Sequence, residues 1–192
     1  MQTIQLKAVA RPDFGKAAAK AVRRQGMIPC SLCGNGETVA FSVDAKAVKP
    51  LIYTPNSFIV EFDFDGKTEK AVMREVQFHP VREEILHIDF YRIVDGKPVA
   101  IAVPVRLSGT AEGVKVGGKL ALSARKLTVS GMLDKLPDEI VVDVTSLGVG
   151  KTIFVGDLEY DGLKFLTPAT AAVCAVRVTR ASRGAAAAAE GK

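Results

Sequence analysis

From about residue 57 onward, apolar residues recur at alternate positions between turn residues, the period-two pattern of half-buried β strands. Phe58, Val60, Phe62 and Phe64 fall on one face of such a strand, and Ile59, Glu61 and Asp63 on the other. Asp65-Gly66 follows, a strong hairpin signal because a type I′ turn needs positive φ at both central residues. A second pair, Asp95-Gly96, separates Tyr91–Val94 from Pro98–Val103 and predicts a second hairpin. Further strands are readable at Leu127–Ser130, Ile140–Val144, Ile153–Val155 and Ala171–Val178, spaced by Gly, Pro and Asp. Only two segments read as helical. One runs from about Gly15 to Gln25 and stops at Gly26; the other starts at Asp44, a suitable N-cap, and is cut by Pro50.

This pattern predicts a mainly β protein, because strands so spaced without long helices between them build barrels or sandwiches. We expect an N-terminal β domain over residues 1–95, an all-β second domain over 96–180, and a disordered tail over 181–192. The tail holds five consecutive alanines and no large apolar side chain to bury.

Composition changes this picture little. Hydrophobic residues make up 48% and charged residues 24%, which fits a globular chain with a packed core. Charge distribution changes it more. Residues 1–30 carry six basic side chains (Lys7, Arg11, Lys16, Lys20, Arg23, Arg24) against Asp13 alone, while the remaining 162 residues hold 20 basic and 20 acidic groups. A polyanion is therefore drawn to one end of the molecule. On a helical wheel Lys16, Lys20, Arg23 and Arg24 lie at about 0°, 40°, 340° and 80°, an arc of about 100°. Ala17, Ala18, Ala21 and Val22 fall opposite and are expected to pack against a sheet. Lys and Arg on such a stripe bind phosphates by releasing counterions, though the same pattern serves a solvated helix face and does not separate RNA from DNA.

The first residues lack the layout of a signal peptide, and the longest strongly apolar stretch, Val99–Val105, is too short to span a bilayer, so a cytoplasmic protein without membrane contact is expected. Three cysteines fit reduced thiols rather than a disulfide framework.

Three stretches, in order along the chain, carry a family resemblance. The first is Gly15-Lys16-Ala17-Ala18-Ala19-Lys20-Ala21-Val22-Arg23-Arg24-Gln25-Gly26-Met27-Ile28-Pro29, ending at Gly34. The second is Val76-Gln77-Phe78-His79-Pro80 followed by His87-Ile88-Asp89-Phe90. The third is Val103-Pro104-Val105 with Gly109, Ala111, Glu112, Gly113, Val114, Lys115 and Gly117-Gly118. Together they resemble the bacterial ribosomal protein family numbered twenty-five in the large subunit, which includes the longer two-domain forms called general stress protein CTC.

The resemblance implies a six-stranded β-barrel with a few short helices that enters the widened minor groove of the loop E region of 5S rRNA, plus an all-β second domain. It implies a monomer on the ribosome, alongside other large-subunit components. On this resemblance Arg11, Lys16, Lys20, Arg23 and Arg24 are assigned to phosphates, and Gln77, His79, His87 and Asp89 to the groove. The chemistry suits RNA, whose shallow minor groove exposes 2′-hydroxyls and base edges to short polar side chains. Two positions depart from the family pattern: Lys20-Ala21 stands where an Arg pair is usual, and Cys33 where a Tyr precedes the Gly. They remove one cation and one stacking or hydroxyl contact, a base stack being worth about 1–3 kcal/mol. A second reading follows from them, a stress-related or interaction protein of the same fold with weakened or lost 5S rRNA binding.

Other motifs point to chemistry more weakly. Cys30-Ser31-Leu32-Cys33 has the spacing of a zinc half-site or redox pair, yet only Cys174, His79 and His87 remain as further ligands. In a strand the two sulfurs face opposite ways. Gly113 with Gly118-Lys119 imitates a phosphate-binding loop, but Leu120 replaces the required hydroxyl. Gly150-Lys151-Thr152 restores the hydroxyl but leads into a strand rather than a helix. His87 and Asp89 with His79 have the residue types of a general-base or metal site, without a nucleophile in a recognisable motif. No catalytic role, metal or cofactor is expected.

Overall fold

The computed structural model describes residues 2–64, 66–94 and 96–179. The described chain divides into two compact units, with the main cut between Ile101 and Ala102. The predicted tail over 181–192, and the aspartates of both Asp-Gly pairs, lie outside the described residues.

The first unit runs β1 (Gln2–Lys7), β2 (Val9–Ala10), α1 (Lys16–Arg24), β3 (Met27–Gly34), β4 (Glu37–Asp44), α2 (Ala45–Ile52), β5 (Phe58–Phe64), β6 (Lys67–Phe78) and β7 (Ile85–Arg92). Its strands form one sheet in the order β1-β5-β6-β7-β3-β4-β2. The two end strands are consecutive in the chain, separated only by buried Ala8, whose N–H donates to the Asp63 carbonyl. A single bent N-terminal stretch thus holds both ends of the sheet, leaving six strands around a curled, barrel-like wall. Four of the strands precede residue 57, where the alternation is first conspicuous, so the β region begins much earlier than that pattern predicts.

The core sits inside the curl. Phe58, Val60 and Phe62 are buried, and Phe64 packs against them, as their alternation predicts. The Phe62 ring meets Phe90 at 4.7 Å and Phe41 at 4.8 Å, both edge to face. Such pairs add about 0.5–1.5 kcal/mol beyond simple burial. Phe64 and Lys67 are register partners, so the turn holding Gly66, at φ 98°, closes a tight hairpin between β5 and β6. Asn35-Gly36 does the same between β3 and β4, with φ of 59° and 82°.

Asp95-Gly96 does not close a hairpin. Both edges of β7 are already occupied, by β6 and β3, so the next strand has no edge to join. Nor does Pro50 cut the second helix, which continues to Ile52. Pro50 forfeits one hydrogen bond in the last turn, while Val48 and Leu51 stay buried and the Asp44 carboxylate caps the Lys46 N–H at 3.0 Å.

The second unit comprises β8 (Val99–Ser108), whose first residues precede the cut, α3 (Glu112–Lys115), β9 (Lys119–Leu122), β10 (Lys126–Gly131), β11 (Ile140–Asp143), β12 (Thr152–Phe154), β13 (Leu163–Phe165) and β14 (Ala172–Arg177). It has one sheet ordered β11-β8-β10-β13 and another ordered β12-β14-β9. The short α3 is a third helix that periodicity does not reveal, since four residues carry too few positions to show a period. It also explains the glycines that imitate a phosphate loop. A Cβ on Gly113 would lie 2.7 Å from the Gly148 and Val149 backbone, and one on Gly118 would lie 2.6 Å from the Gly113 carbonyl oxygen. These glycines serve close packing. Gly150-Lys151-Thr152 leads into β12, as its sequence predicts.

Two outcomes test this packing. Phe62→Ala is expected to lower unfolding free energy by about 3–5 kcal/mol in urea titrations, the usual cost of deleting a buried aromatic ring. Gly113→Ala is expected to destabilise by about 1–3 kcal/mol because backbone, not a flexible side chain, occupies the space. Wild-type midpoints for either variant would refute the corresponding contact.

Candidate RNA-binding groove

Three elements converge on the site: the segment from Arg11 into α1, strand β3, and the β6–β7 pair. Between β6 and β7, Gln77 is paired with His87 and Glu75 with Asp89; between β3 and β7, Ser31 is paired with Asp89. Directly paired residues share a face of the sheet, and here Cys30, Leu32, Ile88 and Phe90 take the buried face. Ser31, Gln77, His87 and Asp89 are left on the outer one. α1 packs on β3 beside them.

The result is a shallow groove of about 490 Å³, lined by Arg11, Arg23, Gln77, His87 and Asp89 together with Gly15, Ala19, Pro29 and Leu86. Within it the Ser31 hydroxyl donates to Asp89 Oδ1, and His87 Nδ1 lies 3.5 Å from the same oxygen. Asp89 is thereby held in one orientation, presenting acceptor capacity beside the amide of Gln77. Arg23 donates from Nη1 to the Leu86 carbonyl at 3.2 Å, which pins its guanidinium at the groove wall. Arg11 is anchored by its backbone, its N–H donating to the Ala40 carbonyl at 3.0 Å, while its buried Nε and Nη1 have no hydrogen-bond partner.

The cationic stripe of α1 is rotated from the predicted one. Ala18, Ala19, Val22 and Arg23 are the half-buried positions, whereas Ala17 and Ala21 are exposed with Lys16, Lys20 and Arg24. The stripe therefore divides: Arg23 turns into the groove, and the other three project from the helix. Residues 18, 19, 22 and 23 form the narrow face that seats the helix, because Arg23 gains the Leu86 carbonyl by turning inward. Among the described residues, none of Arg11, Lys16, Lys20, Arg23 and Arg24 has an ion-pair partner. Elsewhere in the same unit Lys70 pairs with Glu61, Arg82 with Glu84 and Arg92 with Glu69.

His79 stands apart from the groove's lining. Its Nδ1 accepts hydrogen bonds from the Val81 and Arg82 N–H groups, each at 3.2 Å, and its backbone closes the same turn through Glu83 and Glu84. It shapes the loop that joins β6 to β7. Ser31, conversely, carries no sequence signal for the site; only the long-range β3–β7 register brings it to Asp89.

The cysteine pair shows opposite orientations. Cys30 is fully buried, and burial pushes its thiol up to about 12, with the nearby Arg11 charge lowering and the Asp89 charge raising it. Cys33 is partly exposed and accepts a hydrogen bond from the Thr38 hydroxyl at 3.7 Å. Among the described residues no group of three or more His, Cys, Asp or Glu side chains is arranged to hold a metal. No helix of the described residues is long and apolar enough to cross a membrane.

The chain matches known proteins along nearly its whole length. Residues 6–90 match the Ribosomal L25p family, and residues 98–180 match the family described as Ribosomal protein TL5, C-terminal domain. The chain is 48% identical to the Large ribosomal subunit protein bL25 of Phocaeicola vulgatus over 194 residues, covering 97% of this chain and 98% of that one. It is 50% identical to the protein of the same name from Porphyromonas gingivalis over 188 residues, covering 97% and 98%. The class is that of large-subunit ribosomal proteins, structural and non-enzymatic. Within that class the chain belongs to the Ribosomal L25p family, in its long two-domain form.

The cysteine geometry has a direct test. Iodoacetamide applied to the folded protein is expected to label Cys33 and to spare Cys30 and Cys174, both buried with thiols shifted upward by burial. Mass mapping that finds Cys30 labelled before unfolding would contradict this arrangement.

Proposed function

We propose that the groove is the RNA-binding site and that its ligand is the loop E region of 5S rRNA, held as a cytoplasmic component of the bacterial large subunit. One observation carries the reading: five cations at one edge of the sheet lack ion-pair partners among the described residues, and two of them line a groove furnished with Gln77, His87 and Asp89. Lys70, Arg82 and Arg92 of the same unit, by contrast, have carboxylates beside them. An uncompensated cluster next to a half-buried guanidinium has a free-energy deficit that a phosphate backbone removes.

The roles divide by chemistry. Lys16, Lys20 and Arg24, exposed on α1, supply sequence-independent attraction to phosphates. Arg23, pinned at the groove wall, positions the backbone more sharply because a planar guanidinium engages phosphate oxygens in pairs, and Arg11 adds positive charge behind it. Gln77 offers both a donor and an acceptor, and Asp89 accepts from exocyclic amino groups or 2′-hydroxyls. His87, across from Gln77, orients Asp89 and presents its remaining ring nitrogen to the groove. His79 contributes by holding the adjoining turn rather than by facing the ligand.

The departures at Ala21 and Cys33 subtract one cation from the exposed side of α1 and one aromatic side chain from β3, while the residues named above remain in place. Relatives named for the large ribosomal subunit support the assignment to ribosomal RNA.

Electrophoretic mobility of 5S rRNA tests the proposal. The protein is expected to shift a loop E fragment, with affinity falling steeply as salt rises. Replacing Lys16, Lys20 and Arg24 together with Gln is expected to flatten the salt slope by about 3, one per phosphate contact. Arg11→Gln is expected to cost affinity beyond its single unit of slope. Unchanged RNA mobility at low salt would instead favour an interaction protein that has lost RNA binding.

A further inference from the structure

Phe14, next in the chain to the groove residue Gly15, is a large hydrophobic side chain with 74% of its surface in solvent. It takes part in none of the ring contacts that tie Phe41, Phe62, Phe64 and Phe90 together. Its position is fixed by its neighbours. Three residues earlier Arg11 lines the groove, and one residue later Gly15 lines it too, so the chain carrying Phe14 runs along the groove's rim. Gly15 has φ 99°, a conformation that L side chains rarely adopt, and α1 begins directly after it. Phe14, not itself in the groove's lining, therefore lies in the chain between two lining residues, just before the helix that bears Lys16, Lys20 and Arg24.

An isolated exposed apolar residue is ordinary on a protein surface. A bare aromatic ring flanked by cations that lack ion-pair partners is a different arrangement. Proteins that hold unpaired or splayed nucleotides combine a basic track for the backbone with an aromatic ring on which a base stacks, and every base offers a π face to such a ring. Peptide or lipid ligands would call for a contiguous apolar surface, whereas here Pro12, Asp13, Lys16 and Lys20 surround the ring in sequence and all are exposed.

We infer that Phe14 is an RNA-contacting residue that stacks on a nucleobase at the edge of the bound RNA, adding an affinity component that does not depend on salt. This inference rests on the RNA-binding reading of the groove and extends it to a residue outside the cationic and polar set. It also gives this chain a base-stacking ring of its own, at the opposite end of the α1–β3 segment from Cys33.

The test exploits the complete lack of tryptophan in the chain. Phe14→Ala is expected to weaken binding to a 5S rRNA loop E fragment about 5- to 150-fold, the range of one base stack, with the salt slope unchanged. Phe14→Tyr is expected to retain wild-type affinity. Phe14→Trp is expected to bind as the wild type and to show fluorescence quenching that saturates with the RNA. Thermal melts should be unaltered in all three, because the side chain is not packed. Wild-type affinity for Phe14→Ala, or tryptophan emission that does not respond at RNA saturation, would overturn the inference while leaving the groove assignment standing. A wild-type protein that fails to shift the RNA would remove both.

Discussion

The parallel pairing of β3 with β7 is the constraint on which the rest of the site depends. It sets Cys30 against Ile88 and Ser31 against Asp89, which puts one set of side chains in the core and the other in the groove. Strand side chains alternate strictly, so a slip of one residue would drive Asp89 into the aromatic core and turn Ile88 outward. The cost would include a buried carboxylate and a lost apolar contact, each large beside a typical net stability of about 5–15 kcal/mol. The same pairing fixes where α1 lies, because that helix is joined to β3 through Gly26 and packs upon it. Charge on one segment and polar chemistry on another, more than fifty residues apart, thus meet through a single register.

Phe41, Phe62 and Phe90 defend that register from inside. They come from β4, β5 and β7; Phe62 meets Phe41 and Phe90 edge to face, and Phe41 and Phe90 lie tilted 6.0 Å apart. Interlocked rings from separate strands penalise sliding of any one of them, since close-packed interiors have no space to absorb it. The groove residues can therefore remain half-exposed and poorly compensated without loosening the wall beneath them. Arg11 is the plainest case: its backbone is tied to Ala40 while its guanidinium lacks a partner.

Much of this was legible in the residues, for identifiable reasons. Alternation placed Phe58, Val60 and Phe62 in the core, and the hairpin joining β5 to β6 followed from the glycine at position 66. The Asn35-Gly36 hairpin, before the stretch where alternation is conspicuous, emerged only from the structure. The cluster of cations between Lys7 and Arg24 was plain, and the family pattern tied it to Gln77, His87 and Asp89. What sequence could not carry was long-range partnership. Asp95-Gly96 has hairpin chemistry but leads away from a strand whose edges are taken, and no local signal conveys that. The face that α1 buries depended on whether Arg23 found an acceptor, which the distant Leu86 carbonyl supplies. His79 belongs to the motif by sequence and to a turn by geometry, because a ring nitrogen near two free N–H groups is claimed locally. Ser31 and Phe14 carried no mark at all until the groove had a shape.

The seam made by β1 and β2 has a consequence for how the chain matures. Gln2 pairs with Phe58 and Lys7 with Asp63, so during synthesis β1 has no partner until β5 has been made. At about 5–20 residues per second that delay is on the order of several seconds. During it β1 is an open edge, a hazard for association between nascent chains. Its side chains suit the wait: Gln2, Thr3, Gln5 and Lys7 alternate with Ile4 and Leu6, which keeps one flank hydrated until closure. A polypeptide destined to be built into the machine that synthesises it is in this way protected during synthesis by the polar flank of β1.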